Sequence, residues 1–168
     1  MKTPPLTPLA AAALHVGVPE RVLEIECGEG DGALFLAREF PRARVRGIDR
    51  SERMVRKATS RVGLDPEGRV AFKVGAPGSV PFPDGLFDLV AQVDGIPRAA
   101  EAARVLHPGG HLILARLQGF PSPLDLGARL GQRRLRRHGF ELVERAEAGD
   151  GSFSVLRLGG AGRATRDD

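Results

Sequence analysis

The 168-residue chain has no tryptophan, no tyrosine, one cysteine, two methionines and three lysines. Each shortage excludes something. The lone Cys27 leaves no intramolecular disulfide and no cysteine-built metal site. Without Trp or Tyr, the stacking platforms that single-strand binders use would fall to eight Phe and four His, which argues against a nucleic-acid partner. No window approaches the ~18 to 20 uninterrupted apolar residues that span a bilayer, so no membrane insertion is expected. What is present, 42% hydrophobic and 27% charged residues, is ordinary globular composition and excludes wholesale disorder. The length suits one domain over residues 1–168.

Arginine supplies 22 of the 25 basic residues, and the formal net charge is +4. Residues 1–84 carry 13 basic and 11 acidic groups and residues 85–168 carry 12 and 10, so no localised basic footprint emerges at that scale. The apolar stretch Leu9–Val18 raises the question of a signal peptide. It has a single lysine before it, three early prolines and no small-residue cleavage site, and a cytoplasmic location is the expectation.

Short β-type runs alternate with helical stretches. Strands are expected at Arg21–Ile25, Arg44–Ile48, Arg69–Val74, Phe87–Val93, His111–Leu117, Phe140–Glu147 and Ser152–Leu158. Helices are expected at Gly32–Phe40, Ser51–Val62, a short stretch where Ala99, Ala103 and Leu106 mark the core side, and Leu124–His138. That order predicts an α/β fold with a doubly wound, mostly parallel sheet. The Pro- and Gly-rich ends, 1–8 and 159–168, are expected to fray.

In such sheets ligands bind beyond the carboxyl ends of the strands. The first strand runs into Glu24-Ile25-Glu26-Cys27-Gly28-Glu29-Gly30-Asp31-Gly32 and then a helix. Small residues there let backbone approach a ligand, and the helix N-terminus offers free N–H groups; a tight strand-to-helix turn without a ligand is the plainer alternative. Gly28-x-Gly30-x-x-Ala33 also fits a dinucleotide fingerprint. Asp49 ends the second strand 21 residues after Gly28, where a carboxylate accepts from ribose hydroxyls; its alternative is a helix N-cap.

Val22-Leu23-Glu24-Ile25-x-Cys27-Gly28-x-Gly30 resembles the first motif of class I S-adenosylmethionine-dependent methyltransferases. Gly47-Ile48-Asp49-x-Ser51-x-x-Met54, Val80-Pro81-Phe82-Pro83-Asp84-Gly85-x-Phe87-Asp88-Leu89-Val90 and Glu101-x-x-Arg104-Val105-Leu106-x-Pro108-Gly109-Gly110 are similar to three further motifs in the same order. The small-molecule enzymes of the ubiquinone/menaquinone type are the best likeness. The resemblance implies a seven-stranded Rossmann-like sheet with helices on both faces and an antiparallel last strand. It also implies S-adenosylmethionine as cofactor and methyl transfer to a small-molecule acceptor.

By the same resemblance, backbone at Glu26, Cys27 and Gly28 would contact the methionine portion, Gly30 would belong to the same cofactor-binding loop, and Glu24 would orient the loop or bind the amino group. Asp49 would hold the ribose, Arg50 and Met54 would flank the adenine, and Ala76 and Pro77 would touch its edge. Gln92, Val93 and Asp94 would lie near the methyl donor and acceptor, Asp94 being the one acidic candidate for a general base, with a turn residue in Asp94-Gly95 as its alternative. Two positions depart from the family pattern: Glu26 replaces the loop's first glycine, and Ala76 replaces an aspartate that accepts from the adenine amino group. The short link from Val93 to Glu101 leaves little chain for an acceptor pocket, so a second subunit or partner is expected to complete it if the acceptor is large. Two other readings stand beside methyl transfer, a degenerate binding or assembly module and a nicotinamide-dependent oxidoreductase.

The four histidines show no ligand spacing, so no metal is expected. Arg129, Arg133, Arg134, Arg136 and Arg137 crowd one helix; a solvated face is the plain reading, and an anionic substrate, nucleic acid or lipid surface the alternative. Leu124, Ala128 and Leu135 are its expected packing residues.

Overall fold

A computed structural model describes residues 5–122 and 124–160. Seven strands form one sheet: β1 (Arg21–Ile25), β2 (Arg44–Asp49), β3 (Val70–Val74), β4 (Phe87–Val93), β5 (Leu106–Arg116), β6 (Phe140–Ala148) and β7 (Gly151–Leu158). Their spatial order is β3-β2-β1-β4-β5-β7-β6. Pairings from β3 through β5 are parallel, and β7 runs antiparallel to both β5 and β6. The order reverses beside β1, which places the switch point between β1 and β4, where a doubly wound sheet opens a crevice.

Among the described residues five helices complete the fold: α1 (Thr7–Ala13), α2 (Asp31–Glu39), α3 (Glu52–Ser60), α4 (Ala99–Val105) and α5 (Leu126–Arg137). Alternation along the central strands builds two cores, because successive side chains point to opposite faces. Val22, Val45, Leu89 and Ile113 meet α1 and α2 on one face. Leu23, Ile48, Val90 and Leu112 meet α4 and α5 on the other. The central strands are buried almost throughout, as expected of parallel strands covered on both sides.

Several expectations are corrected. Thr7 and Pro8, expected to fray, belong to α1, whose Pro8, Leu9, Ala12 and Ala13 are buried. Proline at the second helical position keeps a fixed φ without removing a needed bond. At the other end Gly159 donates to Gly139 O; residues 1–4 and 161–168 lie outside the described residues. β5 begins at Leu106 because Leu106 pairs with Phe87 before a register shift, so the turn at Pro108 interrupts a strand instead of preceding it. Leu124, expected to pack, is 83% exposed, because Asp125 caps α5 by accepting from Ala128 N at 3.2 Å and leaves Leu124 outside the helix.

The β3–β4 connection contains no helix and is clasped to α4 by Arg104. Its guanidinium donates to Val80 O, Phe82 O, Asp84 and Glu101 at 2.7–3.0 Å, while Glu101 Oε2 accepts from Val80 N at 2.7 Å. The Pro81–Asp84 and Glu101–Arg104 motifs are thus two halves of one clasp. Hydrogen bonds to Glu101 and Asp84 raise the Arg104 pKa, and the Arg104 guanidinium in turn holds the Glu101 carboxyl below its usual value.

Candidate functional site

Register brings the expected residues together. Ile25 lies beside both Ile48 and Gln92, so Glu26, Asp49 and Val93 stand at the carboxyl ends of three adjacent strands. Chain leaving β1 turns sharply: Glu26 has φ 56, Gly28 φ 52 and Gly30 φ 89. Cys27 N donates to Ile48 O and Gly30 N to Cys27 O, both at 2.9 Å. Gly30 is needed for space as well as conformation, since a Cβ there would stand 2.9 Å from the Phe72 ring and 3.1 Å from Ala58.

Asp49 organises this turn. One carboxylate oxygen accepts from Gly28 N at 2.9 Å and the other from Ser51 N at 2.9 Å. The cap of α3 is Ser51, whose hydroxyl accepts from Met54 N, so the capping alternative for Asp49 does not hold. Each carboxylate oxygen carries a second lone pair, and Asp49 therefore retains acceptor capacity toward a ligand. Outside the loop, Lys57 pairs with Glu29 at 3.1 Å and Arg61 with Asp31 at 2.7 Å; these clamps hold the turn against α3.

Glu24 is the unusual member. It points from β1 under the first turn of α2, is 3% exposed, and its Oε2 has no hydrogen-bond partner among the described residues. Burial pushes its carboxyl well above the usual carboxylate range, and Asp31 and Asp49 add to the shift. Gly32 makes room for it, because a Cβ there would collide with Glu24 Oε2. Gly32 is visible in the sequence as the last small residue of the loop, but its steric role needed the third dimension. Cys27 is buried, and desolvation, with Glu24 and Asp49 nearby, pushes its thiol up to about 12, which disfavours the nucleophilic thiolate.

The remaining candidates lie on or after the carboxyl ends of β2, β3 and β4 or in α3. Met54 and Ala76 are half-buried, Pro77 is buried and Arg50 exposed. Ala76 bridges Ser79 in a tight turn, and the Arg98 guanidinium lies against Gly78 of that turn, where a Cβ would meet it at 2.9 Å. Gln92 is 2% exposed and folds back to donate to Ile96 O at 3.3 Å, while Val93 is half-buried. Asp94, φ 56, donates its N–H to Ala115 O and accepts from Leu117 N at 2.9 Å. It therefore ties the end of β4 to the end of β5, and its other carboxylate oxygen has no partner among the described residues. The link from Asp94 to Arg98 is five residues, as short as expected. A groove of about 630 Å³ outside α2 and α3 shares only Asp31 with the turn and contains neither Glu24 nor Asp49; it is separate from this site. Among the described residues no cluster of His, Cys, Asp and Glu could hold a metal.

The family model of the methyltransferase domain matches residues 22–110, more than half of the chain and the whole of this site. A 27-O-demethylrifamycin SV methyltransferase of Amycolatopsis mediterranei is 34% identical over 131 residues, which cover 73% of this chain and 48% of that protein. The chain spans about half or less of the curated relatives it matches. Among solved structures, a SAM-dependent methyltransferase from Aquifex aeolicus superposes with a TM-score of 0.71 at 20% identity, covering 90% of this chain and 89% of that one. The cyclase SpnF superposes with a TM-score of 0.73 at 20% identity, covering 90% and 79%. The structural likenesses show the fold alone, a seven-stranded Rossmann-like sheet with an antiparallel last strand.

Proposed function

The chain belongs to the methyltransferase domain family, and from that premise we propose that it binds S-adenosylmethionine and transfers its methyl group to a small-molecule acceptor. The observation that carries the proposal is the orphaned Glu24 Oε2 beneath a glycine-lined turn, next to a carboxylate fixed by two backbone amides. An unpartnered buried carboxyl costs free energy until it meets a donor, and an incoming ammonium supplies one. The residues present fit the cofactor on this ground.

In this reading Glu24 receives the amino group, while the backbone from Glu26 to Gly30 faces the methionine portion. Asp49 would hold the ribose with the lone pairs left over from Gly28 N and Ser51 N. Met54 gives an apolar, polarizable face to the base, with Arg50 beside it, and Ala76 and Pro77 border the base edge without a hydrogen bond. When bound, the cofactor supplies a methyl group already activated by a sulfonium centre. Orientation would therefore carry much of the rate: Gln92 and Val93 would border the acceptor, and the open Asp94 oxygen would take the proton that the acceptor loses.

Calorimetric titration with S-adenosylhomocysteine tests the cofactor claim; no heat at millimolar ligand refutes it. A second reading, a fold retained as a binding or assembly module, is favoured by the strained Glu26 and by Ala76. Turnover with a panel of metabolites removes it. The nicotinamide alternative rests only on Gly28-x-Gly30-x-x-Ala33 and Asp49, and protection from unfolding by NADH but not by S-adenosylhomocysteine would restore it.

A further inference from the structure

The even split of charge between the chain's halves conceals a local excess. Residues 117–140 carry five arginines and one acid, whereas the rest of the chain carries 20 basic and 20 acidic residues. The whole formal charge of +4 therefore resides in α5 and its flanks. The one acid, Asp125, is engaged as the α5 cap. Among the described residues Arg129, Arg133, Arg134, Arg136 and Arg137 make no ion pair and no side-chain hydrogen bond, although β6, packed beside α5, presents exposed Glu141, Glu144 half-buried and exposed Glu147.

The outward face of α5 is also apolar. Leu135 is 3% exposed and faces the core, and at 100° per residue the opposite side carries Leu126 and Leu130, 71% and 54% exposed. Arg129 and Arg133 flank that pair on one side, Arg134 on the other, and Arg137 continues it toward the C-terminus. Phe120 and Leu124, 48% and 83% exposed, precede the helix. A soluble surface ordinarily scatters such residues singly; here four stand within one basic segment.

We propose that the outward face of α5, with Phe120 and Leu124, docks on an anionic lipid bilayer. Charge complementarity and the apolar row together select this partner. Arginines meet the headgroup phosphates while leucines and phenylalanine enter the boundary with the acyl chains, as in interfacial amphipathic helices. A nucleic-acid backbone would satisfy the arginines but give the leucines nothing to bury against. No helix among the described residues is long and apolar enough to cross a membrane, so contact is peripheral. The surface starts where the chain leaves the carboxyl end of β5, at the end of the sheet that carries the site, and runs toward the opposite end, where Phe140 pairs with Leu158 and Arg157 with His111.

The test is co-sedimentation of the purified chain with vesicles of pure phosphatidylcholine and with vesicles containing a minority of phosphatidylglycerol, at low and high salt. Binding to the anionic vesicles that weakens with salt is expected. The triple variant R133A/R134A/R137A, all at exposed positions, should lose about 100-fold in partitioning, and L126S/L130S about tenfold. Circular dichroism of both variants checks that they fold. Absence of binding to anionic vesicles overturns the proposal, as does binding that neither variant weakens. So does capture of duplex DNA or RNA by the arginines without vesicle binding, or a concentration-dependent dimer that L126S/L130S dissolves without vesicle binding. The readout needs no methyl transfer, so it stands or falls apart from the proposed activity.

Discussion

Replacing Glu26 by glycine should stabilise the protein. Glu26 holds φ 56 immediately after β1, a left-handed conformation that costs a residue with a Cβ about 1–2 kcal/mol. Its exposed side chain makes no hydrogen bond that would offset the cost among the described residues. Glycine removes the steric penalty but loses roughly 0.5–1 kcal/mol more backbone entropy on folding. The balance is a gain of about 0.5–1 kcal/mol, equivalent to a rise in Tm of roughly 1–3 °C for a domain of this size. Differential scanning fluorimetry of the wild type, E26G and E26A separates causes, because alanine removes the charge yet keeps the Cβ. Glycine should raise Tm and alanine should not. Equal gains from both would show that charge repulsion in the acidic loop is being relieved and not backbone strain, and a fall in Tm with glycine would refute the reasoning altogether. S-adenosylhomocysteine should also bind E26G more tightly in calorimetry, since a relaxed turn is already in the conformation that a ligand requires.

Gly32→Ala should destabilise by about 1–3 kcal/mol through overpacking against Glu24, measured by urea denaturation; an unchanged midpoint would show that Glu24 moves freely. The folded Glu24 carboxyl titrates above its unfolded value, so the native state holds the extra proton. Wild-type stability should therefore fall relative to E24Q as pH rises above about 4.5, at up to about 1.4 kcal/mol per pH unit until the folded carboxyl ionises. Parallel pH-dependent denaturation series would expose a flat difference, which contradicts the shift. Arg104→Met leaves Val80 O, Phe82 O and Glu101 without their donor and should cost about 2 kcal/mol, read by thermal melting. Asp94→Asn can still accept from Leu117 N, so Tm should hold while kcat falls about 100-fold if the open oxygen takes a proton; unchanged kcat assigns Asp94 to the turn alone.

Much of this molecule is readable in one dimension. Arg21–Ile25 and Phe87–Val93 are apolar runs bounded by turn signals, and the strands end there. Boundaries failed where a side chain unrelated to hydrophobic period decided them. Asp125 caps α5 after Leu124, so a leucine that fits the helical pattern stands outside the helix. α1 was concealed by prolines that read as fraying, although Pro8 occupies a helical position that tolerates it. In the site, Gly28, Gly30 and Asp49 carried a spacing signal. Gly32 under Glu24, the Arg104 clasp and Leu117 N on Asp94 depend on contacts between elements distant in sequence, for which no local pattern exists.

Local preference and fold agree along most of the chain, and the two disagreements fall together. Glu26 and Asp94 are the non-glycine residues with positive φ among the described residues, and they follow β1 and β4, neighbours in the sheet. Backbone strain of this kind persists only where surrounding structure holds it, and conflict between local rule and fold concentrates at functional sites. The two are not equivalent, however. Aspartate enters the left-handed region more readily than most residues because its short carboxylate bonds nearby backbone, and Asp94 does so through Leu117 N. Glutamate has no such compensation at position 26. Asp94 is therefore a strained residue that its surroundings stabilise, whereas the strain at Glu26 is held by its neighbours alone, Cys27 bonded to Ile48 and Gly28 to Asp49. Removing the Asp49 carboxylate should release that turn, which makes Asp49→Ala the substitution that disorders the loop and E26G the one that settles it.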